Sequence, residues 1–320
     1  MKHIAKVLVL AFMLTTVCSF LVSCGGGGLE IQKQEDGTCY VIGYGDFEGT
    51  ELEIPDTIDG CKVVGVGGLS DNETITKIVV PDTVTIIAMG AFKNCEKLTD
   101  IQLPDSLESL GAGAFNGCTS LKSFKIPSGV TVIAASTFIG CTALTEVEIH
   151  ENVTVIRENA FNGCTALTSV EIPSYLKLLG QGAFQGCSSL TEVKVGKVDQ
   201  MGMMAFDSCT SLKEISLGKI ESYPTIGSVI SNCPALETLT FGGEYIPSGA
   251  FGVLPALKTV YIGKFVDRIG DAFKGCTALE TIVYGGTTSQ WREIDKSSGW
   301  STDTGLKVVK CSDGDITFKE

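Results

Sequence analysis

Residue types that commonly carry out catalysis are scarce in this sequence. It contains two histidines, His3 and His150, and His3 falls in an N-terminal signal described below, so a tetrahedral zinc set built on imidazoles has too few members. Glu146 and Glu148 are a carboxylate pair of the kind that hydrolyses glycosides, but similar acidic residues recur along the chain and indicate a solvated face. We therefore predict that the protein is not an enzyme and holds no metal and no cofactor.

The cysteines are the other reactive group, and their spacing favours packing. Of thirteen cysteines, Cys18 and Cys24 fall in the N-terminal signal. Eight others form a series in which Leu254 takes one place: Cys95, Cys118, Cys141, Cys164, Cys187, Cys209, Cys233 and Cys276. A position that accepts Leu is a packing position, so we predict buried free thiols, with a disulfide ladder or a metal site as alternatives. Cys39, Cys61 and Cys311 lie outside the series, and a Cys39–Cys61 bridge stays open.

The cysteine series belongs to an internal repeat of about 23 residues. The run from Ala91 to Pro104 returns at Ala114 to Pro127 and, with changes, from seven later positions: Thr137, Ala160, Ala183, Ala205, Val229, Ala250 and Ala272. The template is A-F-x-x-C-x-x-L-x-x-I-x-I-P-x-x-V-x-x-I. Its L-x-x-I-x-I part alternates like a short strand, V-x-x-I is a second extended piece, and A-F-x-x-C-x-x-L has the spacing of one helical turn.

One copy of this repeat is too small to bury its own apolar side chains, so the copies must stack at the strand spacing of about 4.8 Å. The pattern therefore predicts a repeat solenoid of about ten coils, mainly β with short helical turns and capped at both ends. We assign residues 37–66 to an N-terminal capping coil, 67–286 to the solenoid and 287–320 to a C-terminal cap.

The repeat resembles the BspA-type leucine-rich repeat of bacterial surface proteins. The opening Asp36–Tyr44 with Ile54-Pro55 is similar to the family's first coil. The ending is similar to its closing segment in Ile282–Thr287, Gln290-Trp291 and Cys311–Gly314. The resemblance implies a secreted or surface-attached protein, and some members are described as adhesins for host matrix proteins.

The N-terminus reads as an export signal. Lys2 and Lys6 precede a 16-residue apolar run, Val7 to Val22, which is short for a membrane-spanning helix. The exit Leu21-Val22-Ser23-Cys24 resembles the bacterial lipobox, which implies that residues 1–23 are removed and Cys24 is lipidated. We assign residues 24–36 to the lipidated cysteine and a flexible tether that includes Gly25 to Gly28. The prediction is an exported protein, lipid-anchored to the bacterial cell envelope; a retained signal anchor is the alternative.

The net charge of −13 excludes nucleic acid and an anionic lipid surface as main partners, because both repel an acidic protein. Contact with the membrane is therefore predicted through the N-terminal lipid only. In the C-terminal half the outward strand positions change from charged residues to Thr, Tyr and Val, and Pro gives way to Gly at the strand ends.

Aromatic residues gather in the same C-terminal half, and Tyr is a frequent anchor at interfaces. We predict a binding face there, formed by Tyr223, Thr240, Tyr245, Tyr261, Phe265 and Tyr284. The alternative is that the closing segment covers Tyr261 and Tyr284, with Trp291 and Trp300 sealing the last coil.

These inferences predict a cell-envelope lipoprotein that acts as a non-enzymatic binding or adhesion module. Its partner would be an extracellular protein of the matrix type, or another macromolecule such as a glycan. A structural envelope scaffold and a glycan-capture accessory protein are the two alternatives. The sequence leaves open the ligand's identity, the oligomeric state, the membrane that holds the lipid, and whether the body faces inward or outward.

Overall fold

The computed structural model describes residues 28–223 and 227–318. The export signal, Cys24 and the first tether residues lie outside the described residues. In the described ranges the chain winds into a solenoid, as the repeat predicted, with about twelve coils where about ten were expected. No helix of these ranges is long and apolar enough to cross a membrane.

The strands are short and follow one another closely along the chain. The N-terminal half contains β1 (Glu30–Lys33), β2 (Thr38–Gly43), β3 (Glu51–Glu53), β4 (Thr57–Ile58), β5 (Cys61–Val66), β6 (Lys77–Val79), β7 (Ile86–Ile87), β8 (Asp100–Gln102), β9 (Ser109–Leu110), β10 (Ser123–Lys125), β11 (Val132–Ile133), β12 (Glu146–Glu148) and β13 (Val155–Ile156). The C-terminal half contains β14 (Tyr175–Leu179), β15 (Glu192–Val195), β16 (Lys197–Met201), β17 (Glu214–Leu217), β18 (Ile220–Ser222), β19 (Thr238–Phe241), β20 (Tyr245–Ile246), β21 (Thr259–Ile262), β22 (Arg268–Ile269), β23 (Thr281–Tyr284), helix α1 (Thr288–Glu293), β24 (Asp295–Lys296), β25 (Val308–Cys311) and β26 (Gly314–Thr317).

Each coil has three sides. The first ladder collects the parallel strands of the L-x-x-I-x-I segments, which are β3, β6, β8, β10, β12, β15, β17, β19, β21, β23 and β25. The second ladder collects the V-x-x-I strands, which are β2, β5, β7, β9, β11, β13, β14, β16, β18, β20, β22 and β24. The phenylalanine side consists of the A-F-x-x-C segments. Register follows the repeat, so that Phe124 pairs with Val147 one coil later.

The start of the solenoid corrects the predicted tether. Residues 24–36 were assigned to a flexible segment, but β1 pairs antiparallel with β2 over Ile31↔Val41 and Lys33↔Cys39. Leu29 and Ile31 are buried, and burying apolar side chains offsets the entropy lost when the chain becomes ordered. Of the predicted tether, residues 30–33 therefore belong to the folded body.

The phenylalanine side is built from turns, not from the helical turn that the 3 and 4 spacing predicted. In the six coils from Gly90 to Ser208, two residues four apart have positive φ, as at Gly113 (62°) and Gly117 (76°). A left-handed residue interrupts the right-handed helical path, and glycine adopts it at little cost. Hydrogen bonds from residue i+3 to residue i close the turns instead, as from Cys118 N–H to the Phe115 carbonyl at 3.1 Å.

The core on this side is a stack of phenyl rings. From Phe92 to Phe206, consecutive rings are nearly parallel, and their centroid separations are 5.3 Å for Phe92–Phe115, 5.6 Å for Phe115–Phe138, 5.2 Å for Phe138–Phe161, 5.1 Å for Phe161–Phe184 and 5.5 Å for Phe184–Phe206. Ile230 takes the next place, and Phe251 and Phe273 then form a separate pair at 5.9 Å. Dispersion between the stacked rings ties each coil to its neighbours.

The cysteine series forms a buried column of free thiols, and the described cysteines form no disulfide. The thiols also make hydrogen bonds that the apolar interpretation missed. Seven of the eight, from Cys95 to Cys233, donate to a carbonyl of the preceding coil, as from Cys164 Sγ to the Phe138 oxygen at 3.2 Å and from Cys187 Sγ to the Phe161 oxygen at 3.3 Å. Cys39 and Cys61 are both free, and Cys39 Sγ donates to the Cys61 carbonyl oxygen.

Burial makes a thiol-labelling prediction possible. It raises the pKa of Cys141 and of Cys187 to about 12, and only the thiolate attacks labelling reagents. At pH 8 we expect a small disulfide reagent to label Cys61 and Cys311, which are partly exposed, while the buried cysteines react only after unfolding in guanidinium. Mass spectrometry of the labelled peptides measures this. Column cysteines that react as fast as Cys61 would contradict the buried column.

Hydroxyl groups also tie coils together along the edges of the first ladder. Thr99 and Thr145 precede their strands, and each donates through Oγ1 to a carbonyl of the preceding coil at 3.1 Å. Thr119 and Thr142 follow the column cysteines and do the same at 3.3 and 3.4 Å. These threonines are variable positions in the repeat template, so the template alone did not indicate their role.

The change from Pro to Gly at the strand ends lengthens the first ladder. Gly218 N–H donates to the Val195 carbonyl at 2.8 Å, and Gly263 N–H donates to the Phe241 carbonyl at 2.9 Å. Pro104 and Pro127 hold the same place in earlier coils and have no N–H to donate. Strands such as β10 therefore have three residues, whereas β15 to β23 of this ladder have four, which gives the C-terminal half a longer flat face.

Candidate binding surface

The structure separates the six residues of the predicted binding face. Thr240 and Tyr261 lie side by side on the outer face of the first ladder, where they are register partners. Tyr245 begins β20 of the second ladder. Phe265 lies in the turn between the two ladders and is 68% exposed. Tyr223 is half-buried beyond β18, so only Thr240 and Tyr261 share one sheet face.

The placement of Tyr284 on an exposed face is wrong. Its side chain is 3% exposed, and its hydroxyl donates to the Lys264 carbonyl at 3.2 Å. Alternation explains this, because Thr281 and Val283 of β23 point outward, which turns Ile282 and Tyr284 inward. Burial raises the pKa of Tyr284. The residue stabilises the end of the core and does not contribute to a surface.

Helix α1 brings Trp291 against this residue. Thr287 and Gln290 form a capping box at its start. Trp291 is 3% exposed, with its ring centroid 5.3 Å from that of Tyr284 and 5.8 Å from that of Trp300. The Lys296 ammonium lies 4.9 Å from the Trp291 ring centroid, and burial lowers the pKa of Lys296.

The outer face of the first ladder carries an uncharged region over β19, β21 and β23. We call it the threonine–tyrosine strip, and it consists of Thr238, Thr240, Thr259, Tyr261, Thr281 and Val283. Register aligns Thr238, Thr259 and Thr281 in one column and Thr240, Tyr261 and Val283 in the next. Tyr261 is 44% exposed, and the others are partly exposed.

Charges beside the strip neutralise one another. Lys258 Nζ lies 3.0 Å from a Glu237 carboxylate oxygen. Lys307 Nζ lies 2.7 Å from a Glu280 carboxylate oxygen and lowers the pKa of that carboxyl. All four residues directly precede strands of the first ladder. The ion pairs along this edge of the strip therefore carry no net charge, and Glu214 and Lys310 flank the strip on the neighbouring strands.

The same face is acidic in earlier coils. Its outward residues there include Asp100, Glu146, Glu148, Glu171, Glu192 and Glu214, all exposed. Lys125 lies 3.7 Å from Glu148 and compensates one of them. An acidic face keeps its water and repels other anions, whereas the threonine–tyrosine strip can lose water against a partner at low cost.

The second ladder has a different character, because its aromatic residues lie among charges. The Arg268 guanidinium lies 5.4 Å from the Tyr245 ring centroid, and Tyr175 donates to Asp199 Oδ2 at 2.6 Å. A chain of ion pairs crosses three coils, with Lys197 to Glu221 at 3.2 Å, Lys219 to Glu221 at 3.4 Å and Lys219 to Glu244 at 2.8 Å.

The sequence analysis missed a buried polar cluster around Asp207, on the phenylalanine side. Asp207 is 6% exposed and accepts hydrogen bonds from four side chains, those of Gln185 (3.1 Å), Ser208 (2.9 Å), Ser231 (2.5 Å) and Asn232 (2.8 Å). Burial alone would raise the pKa of this carboxyl, but the four donors outweigh it and lower the pKa. Asn, Gln and Asp recur two residues before the column cysteines, and that recurrence was the available signal.

The residues considered for catalysis are not brought together. His150 Nε2 lies 3.0 Å from the Pro127 carbonyl oxygen, which it can satisfy as a donor. Glu146 and Glu148 are exposed on the first ladder. Within residues 28–223 and 227–318, no group of three or more His, Cys, Asp or Glu is arranged to hold a metal ion.

Stacked coils with a strand ladder, a column of inward Leu and Ile, and open outer faces define a leucine-rich-repeat solenoid. The chain belongs to the BspA type leucine rich repeat family, whose model matches residues 68–191 and 189–296 in six copies. No curated protein matches the chain.

Several solved structures are similar to this chain. A leucine rich cell surface protein from Faecalibacterium prausnitzii is 24% identical, with 87% of this chain and 98% of that chain covered and a TM-score of 0.44. A leucine-rich repeat protein from Bacteroides ovatus is 21% identical, with 89% and 100% covered and a TM-score of 0.44. A leucine rich repeat protein from T. pallidum is 20% identical, with 88% and 98% covered and a TM-score of 0.38.

Proposed function

We propose that this protein is a non-enzymatic binding module that captures an extracellular macromolecule through the threonine–tyrosine strip. The observation that carries the proposal is the change along the first ladder from exposed acidic residues to a flat, uncharged patch centred on Tyr261. A tyrosine with neighbouring hydroxyl and methyl groups supplies apolar area and hydrogen bonds with little entropy loss. Membership of a repeat family whose coils present extended surfaces agrees with a binding role.

The partner we propose is a protein of the extracellular matrix type. The strip is the outward face of three adjacent parallel strands, and an open sheet face suits a protein partner, whereas small ligands need concave sites. Its ion-paired border resembles the polar rim that surrounds the apolar centre of protein interfaces. A glycan-capture role and a purely structural envelope role are the competing functions, and the experiment below separates them.

Export and anchoring complete the proposal. The lipobox-like Leu21-Val22-Ser23-Cys24 supports lipidation of Cys24 and attachment to the bacterial cell envelope. The solenoid is acidic, so the lipid and not the protein surface would hold it at an anionic membrane. Metabolic labelling with a palmitate analogue in wild type and in C24A tests this step separately from ligand capture.

The binding experiment compares two exposed tyrosines. The mature chain is presented to immobilised matrix proteins and to a glycan array, and Tyr261→Glu is compared with Tyr175→Glu. We expect capture of a matrix protein, and we expect Tyr261→Glu to weaken it at least about tenfold, because a buried unpaired charge replaces an anchor. Tyr175 lies on the second ladder, so Tyr175→Glu should retain capture.

Thermal unfolding of both variants provides the control. Tyr261 projects from the sheet, and its replacement should leave the midpoint close to that of the wild type. Glycan capture alone would support the accessory role, and no capture from either set would support the scaffold. Equal loss in both variants would contradict the strip as the binding surface.

A further inference from the structure

Two neighbouring coils in the N-terminal half are not joined along their strands. After β3, β6 and β10 of the first ladder, the next residue donates to the following coil, as from Val80 N–H to the Gln102 carbonyl at 2.9 Å and from Ile126 N–H to the Glu148 carbonyl at 3.0 Å. Leu103 N–H holds the equivalent place after β8 and has no partner. Strands β8 and β10 do not pair with each other, and on the second ladder β9 and β11 do not pair with each other either.

The same two coils stay connected on the phenylalanine side. Phe115 N–H donates to the Thr137 carbonyl and Gly117 N–H to the Ile139 carbonyl, both at 2.9 Å. They also touch at the turn between the ladders, where a Cβ on Gly129 would lie 2.5 Å from the Leu107 carbonyl oxygen. The opening is therefore a cleft on the first ladder, bounded by closed contacts on both sides.

The cleft exposes side chains that belong to the core. It has a volume of about 250 Å³ and is lined by Ile101, Gln102, Leu103, Asp105, Phe124, Lys125 and Pro127. Ile101 and Leu103 are only partly buried, although their equivalents one coil earlier, Ile78 and Val80, are 0% and 5% exposed. Water therefore reaches inward-facing apolar groups at this position.

Phe124 accounts for the cleft. Its position holds an aliphatic residue in the adjacent coils, Ile101 before it and Val147 after it. The Phe124 ring centroid lies 5.0 Å from that of Phe115 and 4.6 Å from that of Phe138. A larger side chain in a packed core shifts the backbone around it, which explains why β10 does not close onto β8.

We propose that this cleft binds an extended polypeptide segment, which adds a strand to the open edge of β8 and places apolar side chains against Ile101 and Leu103. The unpaired edge offers main-chain N–H and C=O groups at strand spacing, and a polypeptide in the extended conformation complements them. Glycans and lipids do not present main-chain N–H and C=O groups at this spacing. Lys125 and Asp105 carry opposite charges at the rim, which favours a peptide of low net charge.

This proposal does not depend on the threonine–tyrosine strip, because the cleft lies in the other half of the solenoid. A peptide with the sequence of residues 143–152, with Gln in place of Glu146, Glu148 and Glu151 so that its net charge is low, is a suitable probe. It corresponds to β12, which in the intact protein pairs with the edge of β10 that corresponds to the open edge of β8. The control peptide has the same sequence with methyl groups on the main-chain nitrogens of Thr145 and Val147.

Fluorescence anisotropy with the labelled peptides and the mature chain measures binding. We expect the unmodified peptide to bind with a dissociation constant below about 1 mM. The methylated peptide should bind at least about tenfold more weakly, because it lacks main-chain donors. Phe124→Ile should also weaken binding at least about tenfold, since an aliphatic side chain lets β10 pair with β8. No binding at about 1 mM, or equal binding in either control, would overturn the proposal.

Hydrogen exchange of the unmodified chain provides a second readout that needs no variant. In the free protein, the Leu103 amide should exchange as an open amide while the hydrogen-bonded Ile126 amide is protected. Addition of the unmodified peptide should slow exchange at Leu103 and leave Ile126 unchanged. Protection of Leu103 in the free protein would show a closed ladder and would also overturn the proposal.

Discussion

Replacing Phe138 with Ala is expected to lower the free energy of unfolding by about 3–5 kcal/mol. The ring is fully buried and lies between Phe115 at 5.6 Å and Phe161 at 5.2 Å, with Phe124 against its edge at 4.6 Å. Removing it creates a cavity at the centre of a stack, which the ladders on either side prevent from collapsing. Guanidinium unfolding followed by circular dichroism measures the loss.

The matched control is Phe251→Ala, outside the continuous stack. Phe251 has a single stacked neighbour, Phe273 at 5.9 Å, so its replacement should cost clearly less than that of Phe138. Phe138→Leu provides a milder variant that keeps an apolar side chain and should fold even where Phe138→Ala does not. A cost at Phe138 equal to or below that at Phe251 would contradict the stack as the main contact between coils.

Replacing Asp207 with Ala is expected to cost about 3 kcal/mol at pH 7, because a buried carboxylate that accepts four side-chain hydrogen bonds is lost. The effect should depend on pH. The pKa of Asp207 is lowered by its donors in the folded protein, so its contribution is complete above the unfolded pKa of about 3.9 and is lost as the pH falls through the lower folded value. Wild type and variant should therefore converge in stability below pH 3.9.

An exposed carboxylate provides the control for this prediction. Asp71 accepts hydrogen bonds from Ser70 Oγ at 2.7 Å and Asn94 Nδ2 at 2.8 Å, and these donors lower its pKa. Its side chain is exposed, and water can replace it as the acceptor, so Asp71→Ala should change the unfolding midpoint little. A loss at Asp71 as large as that at Asp207 would show that burial of the Asp207 carboxylate is not the cause.

Much of the fold follows from the period of the sequence. The cysteine spacing predicts the stack, and the alternation in L-x-x-I-x-I predicts which side chains enter the core. The same alternation assigns Tyr284 to the inside, at the position that Phe241 and Ile262 hold in earlier coils. Tyr284 was wrongly placed on an exposed face because aromatic residues were grouped by their position along the chain. The left-handed residues before the cysteines, such as Gly117, were also a readable signal against a helix.

Other features depend on contacts that the repeat does not encode. The turn between the two ladders sets the direction that Phe265 and Tyr245 face, and its length changes from coil to coil. The cleft beside β8 lies in a region of regular 23-residue spacing, and only one unusual side chain, Phe124, distinguishes it. Residues from different coils form the Asp207 cluster, so it becomes visible only when the coils are stacked.

The central claim is that a partner binds on the threonine–tyrosine strip, and hydroxyl-radical footprinting of the mature chain with its captured partner tests it most directly. Tyr261 and Tyr175 are exposed to similar extents, 44% and 38%, so free protein should be oxidised at both. We predict that the partner protects Tyr261 and leaves Tyr175 unchanged. Protection of Tyr175 with continued oxidation of Tyr261 would place the partner on the second ladder and contradict the account.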